Sequence, residues 1–328
     1  MNVMYTCDDN YVWLMGISTI SLFENNKTIE DLQVYLLGDN ISQENKDKLK
    51  KIGDQYGRKI QVIEIPPLTI PTALISARWP LAAFTRLFSG EILPVNVDKI
   101  LYLDCDTIVS GDISELEKVS FNGNIVMGVK DCISRTYKKN IGLDNNSLYI
   151  NAGVLLLDVA ELRKININKK MDEYMQQYVD FINYADQDIL NGVFKNCIGE
   201  LSPKFNVMTL NVVHTYAQME QLRRPTNYYN YKEWDEAKNN PAIIHYTTNM
   251  LVVRPWYSNA NHPLRGIFKK YMEMSVWKDK QLTEKVFNSP KDRVIRILTK
   301  LPDKLAYRAI GIIHAELKPR YIKMRARK

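Results

Sequence analysis

Strand-like and helix-like runs alternate through the first 200 of this chain's 328 residues. That order constrains the fold more than any other feature. Residues 3–7 read as a strand, 11–23 as a helix burying Trp13, Leu14, Ile17 and Ile20, and 32–37 as a strand ending at Gly38-Asp39. Residues 42–56 form a charged helix that starts at Ser42 and stops at Gly57. Residues 59–65 are a strand closed by Pro66-Pro67, and 82–88 suit a helix. Further strands fall at 98–103, 125–129 and 154–158, the last introduced by Asn151-Ala152-Gly153. A β-α-β-α order predicts an α/β fold with a mostly parallel sheet and helices on both faces.

The apolar run 100–103 leads directly into Asp104-Cys105-Asp106. Side chains at i and i+2 of an extended segment point the same way, so the two carboxylates can converge on one hard cation. Oxygen ligands suit Mn²⁺ or Mg²⁺, ions that bridge to phosphate oxygens. Open α/β sheets bind ligands at the carboxyl ends of their strands. Position, residue type and spacing therefore agree on a metal–phosphate site. Solvated turn carboxylates would give the same spacing.

Bulk properties exclude several classes. No apolar run approaches the roughly 20 residues that span a bilayer, and residues 1–8 have neither a basic nor an apolar leader segment, so no signal peptide is expected. The four cysteines, at 7, 105, 132 and 197, form no C-x-x-C pair. This argues against a zinc site or redox dithiol and for a reducing, cytoplasmic compartment. The net charge of +7 is a tail property. Residues 289–328 hold twelve Lys/Arg against three Asp/Glu, and the rest of the chain holds 32 against 34. A body-wide nucleic-acid surface is therefore not expected. Residues 1–288 read as the main domain and 289–328 as a basic amphipathic tail. In the tail Val294, Ile297, Leu298, Leu301 and Leu305 recur at helical spacing, Pro302 marks a break, and 305–317 suit a second helix. Residues 201–262, rich in Asn, Tyr, Pro and Thr, read as loops and short elements over the sheet edge.

Further segments carry chemistry. Asp8-Asp9-Asn10 ends the first strand, where a carboxylate can accept from a nucleobase N–H; for Asp9 or Asn10 alone, an Asx turn or helix cap is the better reading. Arg86 offers a fork to phosphate or carboxylate, although an arginine on a helix surface is usually solvated. Asn151-Ala152-Gly153 would let a ligand approach the backbone. Asp186-Gln187-Asp188 bunches polar groups at a helix start, suited to sugar hydroxyls or to capping. His245 closes an apolar run, as either a structural histidine or a third ligand suited to Mn²⁺.

These segments, in this order, resemble glycosyltransferase family 8, nearest to its bacterial lipopolysaccharide α-galactosyl- and α-glucosyltransferases. The likeness spans residues 1 to about 256. It implies a GT-A type, Rossmann-like sheet and a retaining enzyme that moves galactose or glucose from UDP to a saccharide or glycolipid acceptor. It implies that Asp104, Asp106 and His245 hold Mn²⁺, with Mg²⁺ an alternative. It implies that Thr6, Asp8 and Asn10 lie by the uracil, that Arg86, Asn151, Ala152, Asp131 and Cys105 line the donor, that Asp186 holds sugar hydroxyls, and that Gln187 lies under the anomeric carbon. Where the family has a Gly-Pro-x-Lys-Pro-Trp-like run whose lysine binds diphosphate, this chain has Arg254-Pro255-Trp256 after a longer span. Residues 71–80, with Arg78 and Trp79, are expected to face the acceptor and match no family pattern.

Retention by double displacement needs a carboxylate near the anomeric carbon. Gln187 is a poor nucleophile, so a front-face path is expected, with a covalent intermediate on Asp188 as the alternative. A sugar nucleotidyltransferase would want a Gly-rich basic loop after the first strand, and residues 6–11 have neither Gly nor Lys. A non-catalytic nucleotide- or glycan-binding protein is the remaining class. The tail predicts peripheral attachment to an anionic membrane, at the inner face of the plasma membrane.

Overall fold

The structure, a computed structural model, describes residues 1–68 and 84–326. The segment 71–80, expected to face the acceptor, lies outside the described residues, as do positions 82 and 83 of the helix expected at 82–88. Its described end is a 3-10 turn, Arg86–Phe88.

Among the described residues ten strands form two sheets: β1 (Asn2–Asp8), β2 (Gln33–Asp39), β3 (Lys59–Glu64), β4 (Lys99–Leu103), β5 (Thr107–Val109), β6 (Val126–Lys130), β7 (Ile150–Asp158), β8 (Ile198–Glu200), β9 (Val207–Met208) and β10 (Ile243–His245). The larger sheet has the order β3-β2-β1-β4-β7-β6-β8. Its central strands are buried on both faces, which is why β1 and β4 read as continuous apolar runs. Helices Val12–Asn25 and Gln43–Tyr56 cover it. The second is capped as its sequence suggests. Ser42 Oγ accepts from Asn45 N, a cap worth about 1 kcal/mol, and Gly57 ends it with φ 60°.

One strand runs against the rest. β7 is antiparallel to both β4 and β6. It begins at Ile150, so Asn151-Ala152-Gly153 lies inside the strand rather than before it. Leu103 pairs with Val154, and Asp104 N donates to Gly153 O at 2.8 Å. Reversal therefore brings the start of β7 to the carboxyl end of β4.

The smaller sheet has the order β5-β10-β9. In it His245 pairs with Thr107, next to Asp106. This register carries a histidine from 139 positions away in sequence to the paired aspartates.

The 201–262 stretch holds more helix than its texture suggests. Helices Tyr216–Arg223 and Tyr231–Asn239 open with reciprocal capping boxes, Thr215 with Gln218 and Asn230 with Glu233.

In the tail, Ser289 caps helix Pro290–Leu298, and a second helix starts after Pro302. The second runs from Asp303 through a π-wound segment, Ile312–Leu317, to Arg325, longer at both ends than its apolar spacing predicts. It buries Ala306, Ile310 and Ala315. Ile310 joins a cluster with Met219, Leu222 and Trp234. Ser134 Oγ donates to Ala315 O and Asn140 Nδ2 to Pro319 O, each at 2.8 Å. Val294, Ile297, Leu301, Leu305, Ile312, Ile313, Leu317, Tyr321 and Met324 are exposed. Among the described residues no helix is long and apolar enough to cross a membrane.

Candidate active site

Asp104 follows β4, Asp106 precedes β5 and His245 ends β10. One ligand atom from each lies within 4.8 Å of the others. His245 Nε2 is 3.1 Å from Asp106 Oδ1 and 3.6 Å from Asp104 Oδ2. Burial disfavours the imidazolium, yet Asp106 and then Asp104 outweigh it and hold the His245 pKa above its usual value. Burial likewise opposes the Asp106 carboxylate, but His245 and Arg254 hold its pKa below the ordinary range. Two carboxylates and an imidazole fit Mn²⁺ chemically. The backbone beneath is shaped to match. A Cβ on Gly153 would stand 2.1 Å from His245 Cε1 and 2.8 Å from Asp104 Oδ2. Arg254 Nη1 lies 3.3 Å from Asp106 Oδ2, and its guanidinium carbon sits 4.5 Å over the Trp256 ring. A cation thus stands at this corner where the family pattern has a lysine.

Arg86 is not a solvated helix-surface residue. Its segment turns it inward, and it is buried. Nη2 is 3.0 Å from Asp104 Oδ1, Nε is 3.1 Å from Asp186 Oδ2, and Nη1 donates to Ala152 O. The guanidinium lies 4.2 Å over the Tyr102 ring, and Tyr102 OH donates to Asp104 Oδ1 at 2.6 Å. Burial pushes the Asp186 carboxyl up to about 6; Arg86 opposes the rise and Asp104 adds to it. Arg86 therefore ties the metal corner to Asp186.

Gln187 uses its whole amide. Oε1 accepts from Asn151 Nδ2 at 3.0 Å and Ala152 N at 3.2 Å; Nε2 donates to Asp131 Oδ2 at 2.9 Å and Tyr149 OH at 3.1 Å. Asn151, Asp131 and Gln187 thus form one wall. Asp188 stands behind it, fully buried, accepting from Tyr137 OH, Tyr149 OH, Asn183 N and Tyr184 N at 2.5 to 2.8 Å. Four donors occupy this carboxylate.

At the end of β1, Thr6 Oγ1 is 3.2 Å from Tyr102 OH, and Asp8 accepts from Asn10 N at 3.0 Å while Asn10 is exposed. Asp9 belongs to the neighbouring helix start, accepting from Ser42 N, Ser42 Oγ and Asn45 Nδ2. The Cys105 side chain points away from the cleft. It is buried, and its thiol donates to Thr6 O at 3.6 Å. That packing leaves the Cys105 backbone, not its thiol, on the side of Asp104 and Asp106.

Several residues of this site escape the sequence reading. Tyr102 had a readable signal, two positions before Asp104 on the same strand face. Asn206, whose amide lies between Asn151 and His245, had none.

A GT-A glycosyltransferase scaffold is what this sheet order and site define. The chain belongs to the family described as Glycosyl transferase family 8, whose profile matches residues 2–260. Among relatives, General stress protein A of Bacillus subtilis is 27% identical over 280 residues, covering 84% of this chain and 94% of that one. A lipopolysaccharide 1,2-glucosyltransferase of Escherichia coli is 28% identical over 282 residues, covering 85% and 79%. Among solved structures, the galactosyltransferase LgtC in complex with donor and acceptor sugar analogues superposes with a TM-score of 0.71 at 25% identity, over 86% of this chain and all of the other.

Proposed function

We propose that this protein transfers galactose or glucose from a UDP-sugar to a hydroxyl of a saccharide acceptor, with retention at the anomeric carbon, in the synthesis of a cell-surface glycan. The observation that carries the reading is the convergence of Asp104, Asp106 and His245 beside Arg86, Asp186 and Gln187. The relatives add support, since one is a glucosyltransferase and another a galactosyltransferase bound to sugar analogues.

Asp104, Asp106 and His245 would hold a divalent ion, Mn²⁺ by preference or Mg²⁺. When bound, the ion supplies Lewis-acid stabilisation of charge on the leaving diphosphate. Arg254 adds a fixed positive charge on the same side. Asp8, half-buried at the end of β1, would accept from uracil, with Thr6 and Asn10 beside it. Asp186 would hold sugar hydroxyls while Arg86 fixes its carboxylate, and Asn151, Ala152 and Asp131 would line the hexose. Gln187 would face the hexose with an amide, and Asp188, the alternative nucleophile, is engaged by four donors. Both support a front-face path, in which the acceptor proton passes to the departing diphosphate. The test is UDP release from UDP-galactose and UDP-glucose with Mn²⁺, with and without saccharide acceptors. Release stimulated by an acceptor is expected. No release from either sugar nucleotide would overturn the reading.

The tail, residues 289–328, would attach the enzyme to the inner face of the plasma membrane. Its exposed Leu305, Ile312, Leu317 and Tyr321 can enter the headgroup boundary, and each nearby Lys or Arg adds about 1 kcal/mol against anionic lipid.

A further inference from the structure

A single direction of hydrogen bonding runs between the sugar-facing wall and the metal corner, and two backbone N–H groups fix it. A backbone N–H can only donate. Gly153 N donates to Asn151 Oδ1 at 3.0 Å, so the Asn151 amide must present its oxygen there. The same oxygen lies 2.9 Å from Asn206 Nδ2. Asn206 must therefore turn its NH₂ toward Asn151 and its carbonyl toward His245 Nδ1, 3.0 Å away. A carbonyl can only accept, so Nδ1 carries the proton. With Nδ1 held protonated, Nε2, the nitrogen between Asp104 and Asp106, is the one that would give up its proton to a bound ion and ligate it. At the other end, Ala152 N donates to Gln187 Oε1, which orients the Gln187 amide by the same logic. Asn206 is buried.

We infer that Asn206 is a positioning residue that sets the ligating tautomer of His245 and joins the metal corner to the Asn151–Gln187 wall. It acts through its two neighbours, Asn151 and His245. Partners of this kind on metal-bound histidines are worth roughly 10- to 100-fold in metal affinity. The inference rests on the metal-dependent reading above and deepens it.

Two substitutions separate the two contacts. Asn206→Leu removes both. Asn206→Asp still accepts from His245 Nδ1 but faces Asn151 Oδ1 with a second acceptor, so it breaks only the link to the wall. Mn²⁺ affinity is read by electron paramagnetic resonance titration in the presence of UDP, folding by thermal melting of the metal-free chain, and turnover by UDP release. Asn206→Leu should weaken Mn²⁺ at least 10-fold. Asn206→Asp should hold Mn²⁺ within about threefold of wild type and lower kcat at least 10-fold. Wild-type Mn²⁺ affinity in Asn206→Leu would overturn the inference alone. So would equal loss of affinity in both variants, which would mark a packing defect. A wild-type chain that binds no Mn²⁺ with UDP would overturn the metal-dependent reading as well.

Discussion

Gly153 shows how one residue controls the site. The position carries no side chain, yet His245 and Asp104 close over it at distances that no Cβ tolerates. Both neighbours are held, His245 by Asn206 and Asp104 by Arg86 and Tyr102, so neither can yield without breaking its other contacts. Gly153→Ala should leave the strand folded and lower Mn²⁺-dependent turnover by at least 100-fold. Circular dichroism with a UDP-release assay checks both parts, and near-wild-type turnover would mean that the corner is looser than described. From the sequence alone, Gly153 reads only as a small residue that would let a ligand approach the backbone; the space is filled by the His245 and Asp104 side chains. Arg86 shows the opposite case. Its place on a helix-like segment favoured a solvated arginine, because nothing local encodes the inward turn at Arg86–Phe88 or the contacts with Asp104 and Asp186.

Among elements, the strands of the first half were readable because burial on both faces leaves unbroken apolar runs. Direction was not. β7 is as apolar as its neighbours, and an apolar run says nothing about which way it is traversed. The two capped helices of the 201–262 stretch were missed for their short, polar sequences, although Thr215-x-x-Gln218 and Asn230-x-x-Glu233 carried the signal. In the tail, His314 adds a pH dependence. Burial, followed by the charges of Arg223, Lys318 and Lys291, pushes its pKa down to about 2 from an ordinary 6.5. The ring also accepts from Arg223 Nη1 and lies 3.5 Å from Tyr184 OH. The docked tail binds the proton more weakly than a released one. Docking is therefore intact above about pH 6.5 and weakens as the pH falls from there toward 2, by about 2 kcal/mol at pH 5. Hydrogen exchange of residues 303–325, corrected for intrinsic rates, should rise at pH 5 relative to pH 7.5, and His314→Gln should flatten the difference. The exposed apolar face predicts a second result. A chain ending at Asn288 should fail to sediment with anionic vesicles that carry down the full-length protein; equal sedimentation would exclude the tail as anchor.

At the scale of the molecule, two sheets divide the labour. The large sheet delivers Asp104 from β4 and Asn151 to Gly153 from β7, and the small sheet delivers His245 from β10. The paired aspartates, the histidine and the Asp186-Gln187-Asp188 segment could be nominated from sequence because each has a local signature. Their meeting depends on a reversed strand and on the His245–Thr107 register, which no local pattern encodes. The central claim is that this meeting makes a divalent-metal site that turns over a UDP-hexose. The most direct measurement is UDP release by EDTA-stripped protein as Mn²⁺ is titrated back, for wild type, Asp104→Asn and Asp106→Asn. Wild-type turnover should be absent without metal and return with Mn²⁺, while both variants stay below about 1% of it, a loss of some 3 kcal/mol in transition-state stabilisation. Undiminished turnover in EDTA, or near-normal activity in either variant, would contradict the account.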